Sequence, residues 1–210
     1  MSFPKITAKA GGGGKDFELV PAGVHMAICK EVIHLGVQKG FGTYPDRDKV
    51  YFAFEIPSVR VKWTKNGVEH EGPAKIGKTF TLSIGEKSNL RPFLVSWRGK
   101  EFSHEEEAEF DVGKFLGKIC QLSIVHEVGR DGKEHANIST AMGLSAEQKA
   151  YLTQNPEKAK PEGELIAFSP DAYDKVVYEK LPNWLKEKIS TRVKPEDASQ
   201  ATPFDDDIPF

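Results

Sequence analysis

The chain has 210 residues, 39% of them apolar and 29% charged, enough for one domain with a sizeable core plus extensions and unlike a wholly disordered polymer. Its formal charge of −2 is uneven. Five acids and no Lys or Arg lie from Glu196 onward, so the remainder sets 29 cations against 26 acids, a net +3. Two cysteines in apolar runs, Cys29 and Cys120, give neither metal-ligand spacing nor a disulfide framework. No run is long enough to cross a membrane, and MSFPKITAKAGGGGK lacks the apolar segment of a signal peptide, so a reducing, cytoplasmic setting is expected.

The glycine-rich start, residues 1–16, reads as a flexible arm. From Val24 the pattern is β. Val24, Met26 and Ile28 alternate, then Ile33, Leu35 and Val37 alternate in the opposite phase, which predicts a bulge or sharp bend between them. Val50, Phe52, Phe54 and Ile56 share one face of a second strand. It continues through Val59, Val61 and Trp63, with Arg60 and Lys62 opposite, to a turn at Asn66-Gly67. Phe80, Leu82 and Ile84 mark a third strand. The period then changes: Leu90, Phe93, Leu94 and Trp97 are spaced for a helix, with Ser88 as a cap and Gly99 as a stop. HEEEAEFD reads as a solvated acidic run. Leu122, Ile124 and His126, a turn at Asp131-Gly132, and Ala136, Ile138 and Thr140 make a closing hairpin. Residues 145–191 read as helices packing on the body, with Tyr173, Val176, Val177 and Leu181 as an apolar stripe, and residues 192–210 as a disordered linker and acidic tip.

Three strands, a helix and a hairpin make a mainly β (α+β) fold, and the order is that of an OB-fold: a five-stranded barrel with its helix between strands 3 and 4, here over residues 17–144. That fold grips nucleic acid with two loops. The first, QKGFGTYPDRDK, carries Lys39, Phe41, Tyr44, Arg47 and Lys49, and its glycines beside aromatics and cations suit base stacking and phosphate contact. The second, GRDGK, carries Arg130 and Lys133. Tyr51, pointing away from Phe52 and Phe54, is a candidate stacking platform, and Arg60 and Lys62 could line a phosphate track. Trp63 and Trp97 lie in apolar phases and are expected in the core. The plain alternative for either loop is a solvated tip.

Other motifs fail on context. GPAKIGKT, Gly72–Thr79, has Walker A spacing, but it runs into the strand pattern FTLSI rather than a helix N-terminus, and no strand-ending Asp is evident to hold magnesium. KGFGTY begins like an RRM octamer and departs at Thr43 and Tyr44. The six histidines form no metal-ligand pattern and no nucleophile elbow is evident, so neither metal nor cofactor is expected, and no enzymatic activity.

FDDDIPF closely resembles the C-terminal tip of bacterial single-stranded DNA-binding proteins, and DDDIPF matches its typical enteric form. The resemblance implies that Ile208, Pro209 and Phe210 anchor in an apolar pocket of a partner while Asp205, Asp206 and Asp207 meet surrounding cations. The body differs from that family, so its tetramer and stacking residues are not carried over. PAGVHMAICKEVIHLG, EKSNLRPFLVSWRGK and LPNWLKEKI are instead similar to phage-encoded single-stranded DNA-binding proteins of OB type. Together these imply a non-enzymatic protein of phage replication or recombination that coats single-stranded DNA in the host cytoplasm. Its partners would be a helicase, exonuclease or annealing protein, with homo-oligomerisation left open. The competing expectation is a recruitment decoy, whose tip binds host proteins while the body holds no DNA.

Overall fold

The computed structural model describes residues 19–65 and 67–194. The expected arm at 1–16 and the tip residues Asp205 to Phe210 lie outside the described residues.

Strands β1 (Gly23–Gln38), β2 (Arg47–Lys65) and β3 (Val68–Thr81) form an antiparallel meander. β4 (Ile119–Val128) pairs with the other edge of β1, and β5 (Glu134–Met142) pairs with β4, giving the order β3-β2-β1-β4-β5. The sheet is mainly antiparallel and curls into a five-stranded half-barrel. The curl originates in β1. Its first half, Gly23–Ile28, bonds β4; its second half, Ile28–Gln38, bonds β2. Two register shifts, at Cys29/Glu31 and His34/Gly36, bend it between these duties. The first leaves Lys30 as the extra residue, where the apolar phase slips in the sequence. Gly36 sits at φ +71°, a conformation that L side chains rarely adopt.

The hollow of the half-barrel is filled by Val50, Phe52, Phe54 and Ile56 of β2, Phe80 of β3, Leu122 and Ile124 of β4, and Ile138 of β5. Helix α1 (Leu90–Arg98) stops the open end with Leu90, Phe93, Leu94 and Trp97, its predicted stripe. Each such buried side chain contributes roughly 1.5–3 kcal/mol of transfer free energy. The Trp97 indole N–H donates to Ile119 O at 3.1 Å, which satisfies its one polar atom. Ser88 Oγ accepts from Leu90 N at 3.2 Å, although Asn89 occupies the cap position, and Gly99 ends the helix in the left-handed region.

The acidic run is not merely solvated. It forms α2 (His104–Ala108), closed by a Ser103–Glu106 capping box. Glu106 meets Arg98 at 2.5 Å and Glu107 meets Arg91 at 2.7 Å. Both acids are held below the usual carboxylate range, chiefly by these guanidinium hydrogen bonds.

Two further expectations are corrected. Residues 145–191 are not all helix. Beside α3 (Ala146–Gln154), α4 (Lys175–Lys180) and α5 (Asn183–Ser190) they contain β6 (Ile166–Phe168), which runs parallel to Glu31–Ile33 on the β1 edge left open where β1 turns away from β4. Trp63 is not core. Past the register break between Ile56 and Arg60, the paired ends of β2 and β3 leave the body as a ribbon, and Trp63, 39% exposed, stacks on His70 at 5.7 Å. Residues 72–79 lie within β3, their backbone engaged in the ladder with β2, so the phosphate-cradling turn of a Walker A motif is not formed.

The C-terminal elements dock on the outer face of β1. Leu181, Leu185 and Ile189, four residues apart, bury against Ile33, Leu35 and Phe168. A buried ion pair locks the loop before β6. Lys30 Nζ lies 2.5 Å from Glu55 Oε2 and also donates to Glu162 O, while Glu55 Oε1 accepts from Glu162 N at 2.7 Å.

Candidate nucleic-acid interface

The β1–β2 loop is tied at its base and open at its tip. Gly40 N donates to Asp46 Oδ1 at 2.8 Å, and Tyr44 N donates to Phe41 O at 3.1 Å, closing a turn with Gly42 at φ +63°. A Cβ at Gly40 would meet Tyr44 O at 1.8 Å, so only glycine permits this closure. The turn turns two rings outward: Phe41 is 89% exposed and Tyr44 77%. With Lys39, Arg47 and Lys49 they line one cleft of about 420 Å³. Five expected contact residues are therefore brought together.

That cleft continues. Arg47, Lys49 and Thr81 also line a second cleft of about 600 Å³, which runs along the end of β3 to Lys87 and Asn89 before α1. Lys49 Nζ donates to Thr81 Oγ1 at 2.8 Å, bridging β2 and β3 on its floor. Lys78 lines the second cleft and also a third, of about 440 Å³, between β3 and the β4–β5 hairpin, with Asn137 and Ser139 on its wall. Three adjoining clefts thus make one trough from the β1–β2 loop to the hairpin. Lys39, Arg47, Lys49, Lys78 and Lys87 line it, against Glu86 and Glu127. Lys78 Nζ donates to Ile138 O at 2.6 Å, and burial lowers its pKa from the ordinary lysine value.

Arg130 and Lys133 are exposed in the hairpin turn beyond β4. Since β4 runs antiparallel to β1, the two basic loops stand at opposite ends of β1, and the trough runs from the first to the strands of the β4–β5 hairpin without taking in Arg130 or Lys133. Within the turn Asp131 accepts from His135 and from Lys133 N, and its carboxyl is held below the usual range, first by the His135 bond.

Arg60 and Lys62 are not part of this trough. They lie on the β2–β3 ribbon, eight and ten residues of β3 away from the partner of Lys49, roughly 25–35 Å along the sheet. Arg60 is engaged by Glu71 at 3.5 Å and by Glu162. Lys62 lines a separate cleft beside Trp63. Tyr51 is half-buried under the C-terminal elements, edge-on to Trp184 at 5.0 Å, and its phenol is pushed up to about 12 by burial and by Glu31.

Neither Lys78 nor Lys87 stands out in the sequence as a contact residue. The available clue for Lys78 is a lysine in the inward phase between Ile76 and Phe80, a place where only an opening in the barrel wall admits a charge. Compared with protein-family models, with curated proteins and with solved structures, the chain matches none.

Proposed function

We propose that this chain binds single-stranded DNA in the trough between its β1–β2 loop and its β4–β5 hairpin, and that its body is an OB-type barrel. The observation that carries the reading is the continuity of three clefts that place two exposed rings, Phe41 and Tyr44, beside a file of cations. Rings offer a stacking face to any base, and the cations answer the phosphates; neither demands a sequence. The strand order, the helix between β3 and β4, and the sharing of β1 between both halves of the sheet support the OB reading, as does the Lys78 bridge across the seam between β3 and β5.

The reading extends to DDDIPF, whose acids and apolar residues would dock on partner proteins of replication and recombination in a phage-infected bacterium. Two experiments test the two halves separately. Fluorescence anisotropy with labelled oligo-dT, duplex and RNA of equal length should rank oligo-dT above the duplex. Capture of a helicase or exonuclease that recognises such tips should be lost when residues 204–210 are removed, with the melting temperature of the body unchanged. Tip-dependent capture without any oligo-dT binding would favour the decoy reading.

A further inference from the structure

On the reading of the trough as a single-stranded DNA site, we infer that Trp184, from the C-terminal elements and not from the barrel, supplies a further base-stacking surface beside it. In α5, Leu185 and Ile189 point into the apolar seam over β1. Trp184 precedes Leu185 by one residue, hence by about 100° around the helix, and this turns it to the flank of the seam rather than into it. There it lies over β2, meeting Tyr51 edge-on at 5.0 Å and 86°. It remains 43% exposed, a large indole area left in water although Leu185, the next residue, is fully buried.

The ring beneath fixes the spot. Tyr51 lies flat against β3, since a Cβ at Gly77 would meet its Oη at 2.0 Å. Trp184 meets it at right angles and is the more exposed of the two, so the indole is the accessible π surface of the pair. Tyr51 is two residues from Lys49 on the same face of β2, roughly 7 Å between their backbones, and pairs with Thr79 as Lys49 pairs with Thr81, while its ring reaches on to Gly77. Lys49 already lines the first two clefts of the trough. A strand whose bases stack on Phe41 or Tyr44 and whose phosphate meets Lys49 therefore has Trp184 within reach of a neighbouring base. The cations Lys39, Arg47 and Lys49 on the approach make a polyanion the occupant that the charge favours.

The test uses the full chain, oligo-dT and two substitutions. Trp184→Leu keeps an apolar side chain and removes the π face; Trp184→Phe keeps a smaller one. The inference predicts that Trp184→Leu weakens oligo-dT binding about 5- to 100-fold with little change in melting temperature, and that Trp184→Phe stays within about threefold of the unaltered chain. Tryptophan emission gives an independent reading. Trp97 is buried, so in a Trp63→Phe background the emission that oligo-dT quenches comes from Trp184. Quenching there supports the inference even where Trp184→Leu lowers the melting temperature. Unaltered affinity in Trp184→Leu, or no quenching in that background while oligo-dT binds, overturns it and leaves the trough standing. Absence of oligo-dT binding by the unaltered chain overturns the trough itself and this inference with it.

Discussion

Phe41 and Tyr44 are the residues on which the functional reading bears hardest, because exposed rings of 89% and 77% do nothing for the fold. Replacing either ring with Ala should leave the melting temperature unchanged and cost about 1–3 kcal/mol of oligo-dT affinity if that ring stacks on a base. Unchanged affinity in both variants would move the site off this loop. Tyr51 is a different case. Its folded-state pKa of about 12 lies above the ordinary value of 10.0, so the fold favours the protonated phenol. That contribution is complete below about pH 10 and is lost as the pH rises through about 12. Urea unfolding across this window should show the parent losing stability more steeply than Tyr51→Phe; parallel losses would contradict the assignment. The loop residues were readable because glycine, aromatic and lysine side chains are unusual company in a polar turn. The engagement of Arg60 was not, because Glu71 and Glu162 reach it from a paired strand and from a loop a hundred residues on.

Among the elements, β1, β2, β4, β5 and α1 were legible because their periods of two and 3.6 persist over several repeats, and the bulge at Lys30 because a phase slip has few other causes. Of Phe80, Leu82 and Ile84, expected to mark the third strand, only Phe80 lies in β3, which ends at Thr81. β6 was not legible. Its three residues are too few to show a period, and it is a strand because the bent β1 offers an unpaired edge, a tertiary fact. Trp63 keeps its phase with Val59 and Val61, but phase says which side a residue faces, not whether anything lies there. The docked elements carry their own predictions. Leu185→Ala, at a fully buried site, should cost about 2–5 kcal/mol in urea unfolding. Glu55→Gln, which leaves the Lys30 ammonium buried without its counter-charge, should cost about 3–5 kcal/mol. A loss under 1 kcal/mol in both would mean that the C-terminal elements are only loosely held on β1.

At the scale of the whole molecule, the half-barrel supplies rigidity and its open rim supplies the trough, while several arginines elsewhere are engaged by acids. Arg91 and Arg98 serve the acids around α2, and Arg60 serves the ribbon. Lys39, Arg47, Lys49, Lys78 and Lys87 follow one path, where a polyanion can meet them in file. The direct measurement is the salt dependence of oligo-dT affinity for the parent chain and for a Lys39→Ala/Arg47→Ala/Lys49→Ala variant. The parent should bind at low salt, with log K falling linearly against log salt, and the variant should bind more weakly, with its slope flattened by about 0.7 for each phosphate contact removed. A variant that binds as tightly as the parent with the same slope, or a parent that binds no oligo-dT at low salt, would contradict the account.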